Sequence, residues 1–156
     1  MKKAIFYITI LLIVAAFVSC DRKRVFEAYK TLDEKGWNKD SIVVFHFPLT
    51  DTTRNHNLYV NIRNKGTYGY SNLWLFLSVA SPDGKTVTDT VEFSLAEPNG
   101  RWKGSGIGDL HDNQILYKKS VFFPKKGNYT FSIKQGMRDN VLQGIRDIGI
   151  RIEKTY

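Results

Sequence analysis

The sequence predicts an all-β protein, an antiparallel β-sandwich of about eight strands with a jelly-roll or immunoglobulin-like arrangement. Apolar and polar residues alternate with a period of two, as in residues 58–63, 129–134 and 148–153. Turn-forming residues separate these runs, for example Pro82-Asp83-Gly84 and Pro98-Asn99-Gly100. No run shows a sustained helical period of 3.6. These three observations together favour short strands joined by turns.

The alternation places each strand between two turn signals. A short helical turn is also expected at residues 137–143, before the last strand. The predicted strands cover residues 25–32, 42–47, 56–64, 72–80, 87–95, 115–123, 129–135 and 145–154.

The N-terminal residues predict an export signal and a lipid anchor. Lys2 and Lys3 precede an apolar run from residue 4 to residue 18, which is shorter than the roughly 20 residues of a membrane span. The sole cysteine, Cys20, follows this run at the start of a charged stretch. We therefore expect a signal peptide at 1–19, a lipidated tether at 20–24 and one sandwich domain at 25–156. Diacylglycerol and an N-acyl chain would be attached to Cys20. An uncleaved signal anchor is the alternative, and Phe17 stands where lipoproteins usually have leucine.

The net charge of the chain alone excludes few classes of partner. The export signal reduces the number of classes that remain. The net charge is +8, of which Lys2 and Lys3 lie in the predicted signal, so +6 remains after cleavage. Because an exported protein rarely meets nucleic acid, we expect no nucleic-acid partner. The basic surface is expected to face an anionic membrane or an acidic partner.

Two predicted strands carry apolar residues on both faces. In the strand at 72–80, Leu73, Leu75 and Leu77 alternate with Trp74 and Phe76, and the strand at 42–47 is again apolar on both faces. The outer face of these strands therefore needs a cover.

Two interpretations of that outer face stay open. Either the segment 97–114 folds over it with Trp102, or Trp74, Phe76 and Trp102 form a candidate surface for a protein partner. The tryptophans, including Trp37, would also suit a carbohydrate-binding platform, which is the alternative function.

No motif indicates an enzyme, a cofactor or a metal site. The glycines of 104–108 lack the following helix that a phosphate cradle needs, and predict instead a loop with positive φ or close packing. Asp109, His111 and Asp112 supply too few ligands at a recognisable spacing for zinc or calcium. His46 is expected to be a hydrogen-bonded core histidine. No serine or free cysteine lies in a nucleophile context, so no catalytic residue is predicted.

Several short motifs, in order along nearly the whole chain, resemble the GldH family of gliding motility lipoproteins from the Bacteroidetes. The resemblance includes the cysteine that follows the signal. The motifs are Trp37-Asn38-Lys39-Asp40, Phe45-His46-Phe47, Asn61-Ile62-Arg63-Asn64, Tyr68-Gly69-Tyr70-Ser71-Asn72-Leu73-Trp74, Gly100-Arg101-Trp102-Lys103-Gly104, Gln135-Gly136-Met137-Arg138 and Asp147-Ile148-Gly149-Ile150.

The resemblance implies a non-enzymatic, lipid-anchored envelope protein that contacts other proteins of the gliding and type IX secretion machinery. Only Cys20 carries over as a functional position, because the family has no assigned catalytic residues. The basic tether of residues 22–24 further suggests a domain attached to the outer membrane and facing the periplasm.

Overall fold

The structure, a computed structural model, describes residues 21–155 and confirms the all-β prediction. The predicted signal peptide, Cys20 and Tyr156 lie outside these residues. Within residues 21–155 there are ten strands and no helix, so none that is long and apolar enough to cross a membrane. The strands are β1 (Arg24–Thr31), β2 (Trp37–Asn38), β3 (Val43–Leu49), β4 (Asn55–Lys65), β5 (Asn72–Ala80), β6 (Thr86–Ser94), β7 (Leu110–Phe122), β8 (Gly127–Gln135), β9 (Val141–Leu142) and β10 (Ile145–Lys154).

Eight long strands form two antiparallel sheets that pack face to face. The first sheet has the order β1-β10-β4-β7, and the second has the order β3-β8-β5-β6. The short strands β2 and β9 pair with each other. The connections after β3, β4, β6 and β7 each pass from one sheet to the other, as expected for a sandwich.

The predicted alternation matches the observed core. Leu58, Val60 and Ile62 of β4 are buried, and they face Leu75 and Leu77, which are buried on β5 of the other sheet. Full burial of such a side chain contributes about 1.5–3 kcal/mol. The further buried hydrophobic side chains include Phe47, Leu73, Phe131, Ile133, Ile148, Ile150 and Ile152.

Two local predictions are wrong. Strand β7 begins at Leu110 instead of residue 115, because the polar segment 110–114 pairs with the end of β4. The expected helical turn at 137–143 is absent, since Val141 and Leu142 form β9. The side chain of Gln135 shapes the preceding turn, with its oxygen accepting a hydrogen bond from the Met137 N–H at 2.8 Å and its nitrogen donating to the Asp139 carbonyl at 2.8 Å.

The antiparallel register gathers one set of loops at the end of the sandwich where the chain enters and leaves, here called the tether end. It comprises residues 21–23, the loops 50–54, 81–85 and 123–126, and residue 155. Lys125 and Asp83, from two of these loops, form an ion pair at 2.5 Å. The loops 32–42, 66–71, 95–109 and 136–140 form the opposite, far end. The strand pairs at the tether end are Arg24 with Glu153, Lys154 with His56, Asn55 with Phe122, Leu49 with Gly127 and Ala80 with Thr86.

Candidate interaction surface

Trp74 and Phe76 lie side by side on the outer face of the second sheet. They are two residues apart on β5, so they point the same way, and their side chains are 38% and 43% exposed. The interpretation that segment 97–114 covers them is therefore wrong. Residues 110–114 of that segment belong to the first sheet instead.

Trp102 does not join the two exposed aromatic residues. It forms an isolated β-bridge with Ala96, and its ring centroid lies 6.3 Å from that of Tyr68 and 5.7 Å from that of His111. Trp102 is half-buried against the core. The predicted trio thus divides into an exposed pair on β5 and a separate packing residue at the far end.

Two residues that sequence reasoning missed complete the exposed surface. Tyr70 is 39% exposed and shares a shallow hollow of about 500 Å³ with Trp74 and Met137. The Met137 Sδ accepts a hydrogen bond from the Trp74 N–H at 3.3 Å. We call Tyr70, Trp74, Phe76 and Met137 the aromatic patch. Periodicity gave no signal for Met137, because it lies in a turn.

The turn that holds Met137 is fixed by polar contacts. The Gly136 N–H donates to the Trp74 carbonyl at 2.7 Å, and Gln135, which is buried, ties both sides of the turn. A Cβ on Gly136 would lie 3.2 Å from the Phe76 ring, so the absence of a side chain lets the turn approach the patch. The Tyr70 hydroxyl donates to Asp139 at 2.9 Å, and this hydrogen bond raises the pKa of Tyr70. Hydrogen bonds at both ends of this turn therefore hold the residues of the patch in position.

The outer face of the second sheet also has a polar stretch. Beyond Phe76, towards the tether end, β5 and its neighbours present serine and threonine side chains, among them Ser78, Thr88 and Ser132, which lie in register. His46 belongs to this face: it is exposed, and its Nδ1 lies 3.1 Å from the Thr130 hydroxyl, so the expectation of a core histidine is wrong. Its strand parity puts it opposite to the buried Phe45 and Phe47.

The outer face of the first sheet is built from ion pairs. Arg151, whose side chain is 12% exposed, contacts Glu27 at 2.9 Å, Glu153 at 2.7 Å and also Asp21. Burial opposes the charge of Arg151, but the hydrogen bonds to Asp21 and Glu153 outweigh it and raise the pKa of Arg151. The hydrogen bond from Arg151 lowers the pKa of Asp21. We call this outer face of the first sheet the charged face. Its charged side chains form ion pairs with one another.

An aromatic residue on the charged face is covered. The Arg63 guanidinium lies 4.1 Å from the centroid of the Tyr29 ring, a cation–π contact. Arg63 is itself held by Asp112 at 2.9 Å. Below the ring, a Cβ on Gly149 would lie 2.8 Å from Tyr29, so only glycine fits there.

The glycine-rich loop has the structural role that was predicted. Gly108 has a φ of +72°, and a Cβ on Gly106 would lie 1.8 Å from the Leu110 carbonyl oxygen. The loop is closed by a bridge between Ser105 and Asp112. Ile107 at its tip is 98% exposed. The prediction of positive φ and close packing is confirmed.

The three candidate ligands, Asp109 at the end of this loop and His111 and Asp112 at the start of β7, have separate partners. Asp109 Oδ1 accepts a hydrogen bond from the Gly66 N–H at 3.0 Å, Asp112 pairs with Arg63, and the His111 ring packs against the Trp102 ring at an angle of 31°. Among residues 21–155, no group of three or more His, Cys, Asp or Glu side chains is placed to hold a metal ion.

Comparison with known proteins identifies the family. The family model described as "GldH lipoprotein" matches residues 24–152. The "Gliding motility lipoprotein GldH homolog" of Christiangramia forsetii is 43% identical, over 97% of this chain and 94% of that protein. The "Gliding motility lipoprotein GldH" of Flavobacterium johnsoniae is 40% identical, over 93% and 94%.

Among solved structures the likeness is much weaker. A family GH115 4-O-methyl-α-glucuronidase, with specificity for decorated arabinogalactans, matches with a TM-score of 0.42 and 13% identity, over 88% of this chain and 18% of that chain. Such a likeness carries no argument about function. The family model and both relatives cover nearly the whole sandwich. The chain therefore belongs to the GldH lipoprotein family.

Proposed function

We propose that this protein is a lipid-anchored, non-enzymatic component of the gliding motility machinery in the cell envelope. Both named relatives are gliding motility lipoproteins, and each aligns over more than nine-tenths of its own length. The anchor is diacylglycerol with an N-acyl chain on Cys20, the residue directly before the described domain. Two or three acyl chains hold such a domain stably at a bilayer.

The proposal extends to partners and location. The protein contacts other envelope proteins of the gliding and type IX secretion machinery, and it is attached to the outer membrane on the periplasmic side. The basic residues 22–24 after the anchor support the periplasmic orientation.

The aromatic patch is the observation that carries a function by contact. Trp74 and Phe76 are exposed at adjoining positions on one face, and Tyr70 and Met137 extend their apolar area. A contiguous exposed apolar area of this kind is typical of a protein interface, in which aromatic residues and methionine are enriched. The patch lies on the half of β5 towards the far end, away from Asp21, the first described residue, so a partner reaches it without displacing a lipid on the preceding cysteine.

Colony spreading tests the proposed function. Deletion of the gene in the host should abolish spreading, and the wild-type gene should restore it. The variant Trp74→Ala with Phe76→Ala should fail to restore spreading although immunoblots show a normal amount of protein. We expect this because the substitutions remove contact area and cost no more than about 2 kcal/mol at such partly exposed positions.

The matched control is Leu116→Ala. Leu116 is 45% exposed on the outer face of the first sheet, so it removes a similar apolar side chain away from the patch. Spreading should stay normal with this control. Normal spreading with the patch variant would overturn the proposed role of the patch.

A further inference from the structure

The loops at the two ends of the domain differ in charge. The tether-end segments 21–23, 50–54, 81–85, 123–126 and 155 carry six Lys and Arg against three Asp and Glu. The far-end loops 32–42, 66–71, 95–109 and 136–140 carry five Lys and Arg against six Asp and Glu. The tether-end loops therefore have a net charge of +3 and the far-end loops a net charge of −1. Lys119 lies near the tether end on β7.

The position of the anchor brings this end of the domain close to the bilayer. Asp21, which directly follows Cys20, is held to the first sheet by its contact with Arg151. The Lys23 carbonyl accepts a hydrogen bond from the Lys154 N–H at 2.9 Å. One extended residue spans at most about 3.6 Å, so a lipid on Cys20 begins within a few ångströms of the folded domain.

Exposed apolar side chains accompany the charge. Phe122 is 57% exposed at the end of β7, and Val87 is 59% exposed at the start of β6. Both line an apolar hollow of about 230 Å³ with Lys85 and Lys118 at its margin. An aromatic side chain beside lysines suits the boundary between headgroups and acyl chains.

We infer that the tether end is a second membrane contact, which lies flat on the anionic surface of the bilayer that holds the lipid anchor. Its lysines and arginines bind lipid phosphate groups, and Phe122 enters the interface. The inference rests on the anchor proposed at Cys20. It also fixes the orientation of the domain, because the aromatic patch then faces sideways, on the half of the second sheet that is farther from the bilayer.

Fluorescence quenching in vesicles tests this orientation. The full lipidated chain is prepared with Phe122→Cys or, as the far-end control, Ile107→Cys, and is labelled with an environment-sensitive dye. Cys20 is the sole native cysteine and its sulfur is blocked by the lipid, so each variant carries one reactive thiol. In vesicles that contain about one-third phosphatidylglycerol, doxyl-labelled lipids should quench the dye at residue 122 roughly twofold or more, and the dye at residue 107 very little.

A charge reversal at each end separates orientation from anchoring. Lys119→Glu with Lys126→Glu should abolish the quenching at residue 122. The control Lys35→Glu with Arg101→Glu changes the charge equally at the far end and should preserve the quenching. Equal quenching at residues 122 and 107, or quenching unaffected by the Lys119 and Lys126 changes, would overturn the inference while the anchor stands. Failure of the lipidated chain to float with pure phosphatidylcholine vesicles would instead overturn the anchor, and the inference with it.

Discussion

The two outer faces of the sandwich differ in whether their aromatic residues are covered or exposed. On the charged face, the Tyr29 ring lies between the Arg63 guanidinium and the backbone of Gly149. On the second sheet, no segment of residues 21–155 covers Trp74 and Phe76 in this way, and they are 38% and 43% exposed. An aromatic side chain on an outer face can therefore be covered from within the chain or left open for another molecule.

This difference indicates which face is available for contact. On the charged face, the guanidinium groups form ion pairs with neighbouring carboxylates. A partner would have to break these ion pairs in order to bind there. The aromatic patch offers apolar area that is still in contact with water, and its burial against a partner would release about 25 cal/mol per Å². The proposed contact function is thus assigned to the second sheet.

The largest expected effect comes from disturbing the covered aromatic residue. Gly149→Ala places a Cβ 2.6 Å from the Ala28 carbonyl oxygen and 2.8 Å from the Tyr29 ring. Because the backbone of β1 cannot move without losing its pairing, we expect a loss of about 3 kcal/mol in the free energy of unfolding. Urea denaturation of the purified variant measures it.

Gly69→Ala is the control for this substitution. A Cβ on Gly69 meets no atom within 4 Å, so its stability should be unchanged or slightly higher. Equal stability of the Gly149→Ala and Gly69→Ala proteins would mean that the Tyr29 ring is not packed as described.

A smaller effect is expected from the ion pairs of the charged face. Arg151→Gln leaves Glu153, which is 15% exposed, without its cation, and leaves Glu27, which is 18% exposed, with Arg24 alone at 3.3 Å. We expect a loss of about 2 kcal/mol, since partly buried charges lose their hydrogen-bond partner. Thermal unfolding followed by circular dichroism measures this loss.

The matched pair on the other outer face should contribute far less. Lys134 lies 3.7 Å from Asp40, and their side chains are 40% and 79% exposed. Lys134→Gln should cost no more than about 1 kcal/mol, because solvent screens such pairs. A cost equal to that of Arg151→Gln would remove the energetic distinction between the two faces.

The sequence predicted most of the fold because alternation reports directly on burial. All eight long strands were found, since Leu58, Val60 and Ile62 and similar triplets face a core that lies on one side only. The error at β7 has a physical cause. Its first residues, 110–114, are largely polar and pair with β4, so backbone pairing rather than side-chain burial makes them a strand.

The site was only partly predictable. The double-sided pattern of β5 identified Trp74 and Phe76, but alternation cannot say whether an outer face is covered. Trp102 was grouped with them by composition, whereas its bridge to Ala96 places it against Tyr68. Met137 depends on the turn that Gln135 holds, a tertiary contact that no local pattern records.

Photo-crosslinking in cells tests the central claim that the aromatic patch contacts another protein. A benzophenone amino acid replaces Phe76 or, on the opposite face, Leu116, and captured material is analysed by mass spectrometry. The proposed function predicts a defined protein adduct from position 76 that is missing from position 116. Identical adducts from both positions, no adduct from position 76, or an adduct only with polysaccharide as the carbohydrate-binding alternative expects, would contradict it.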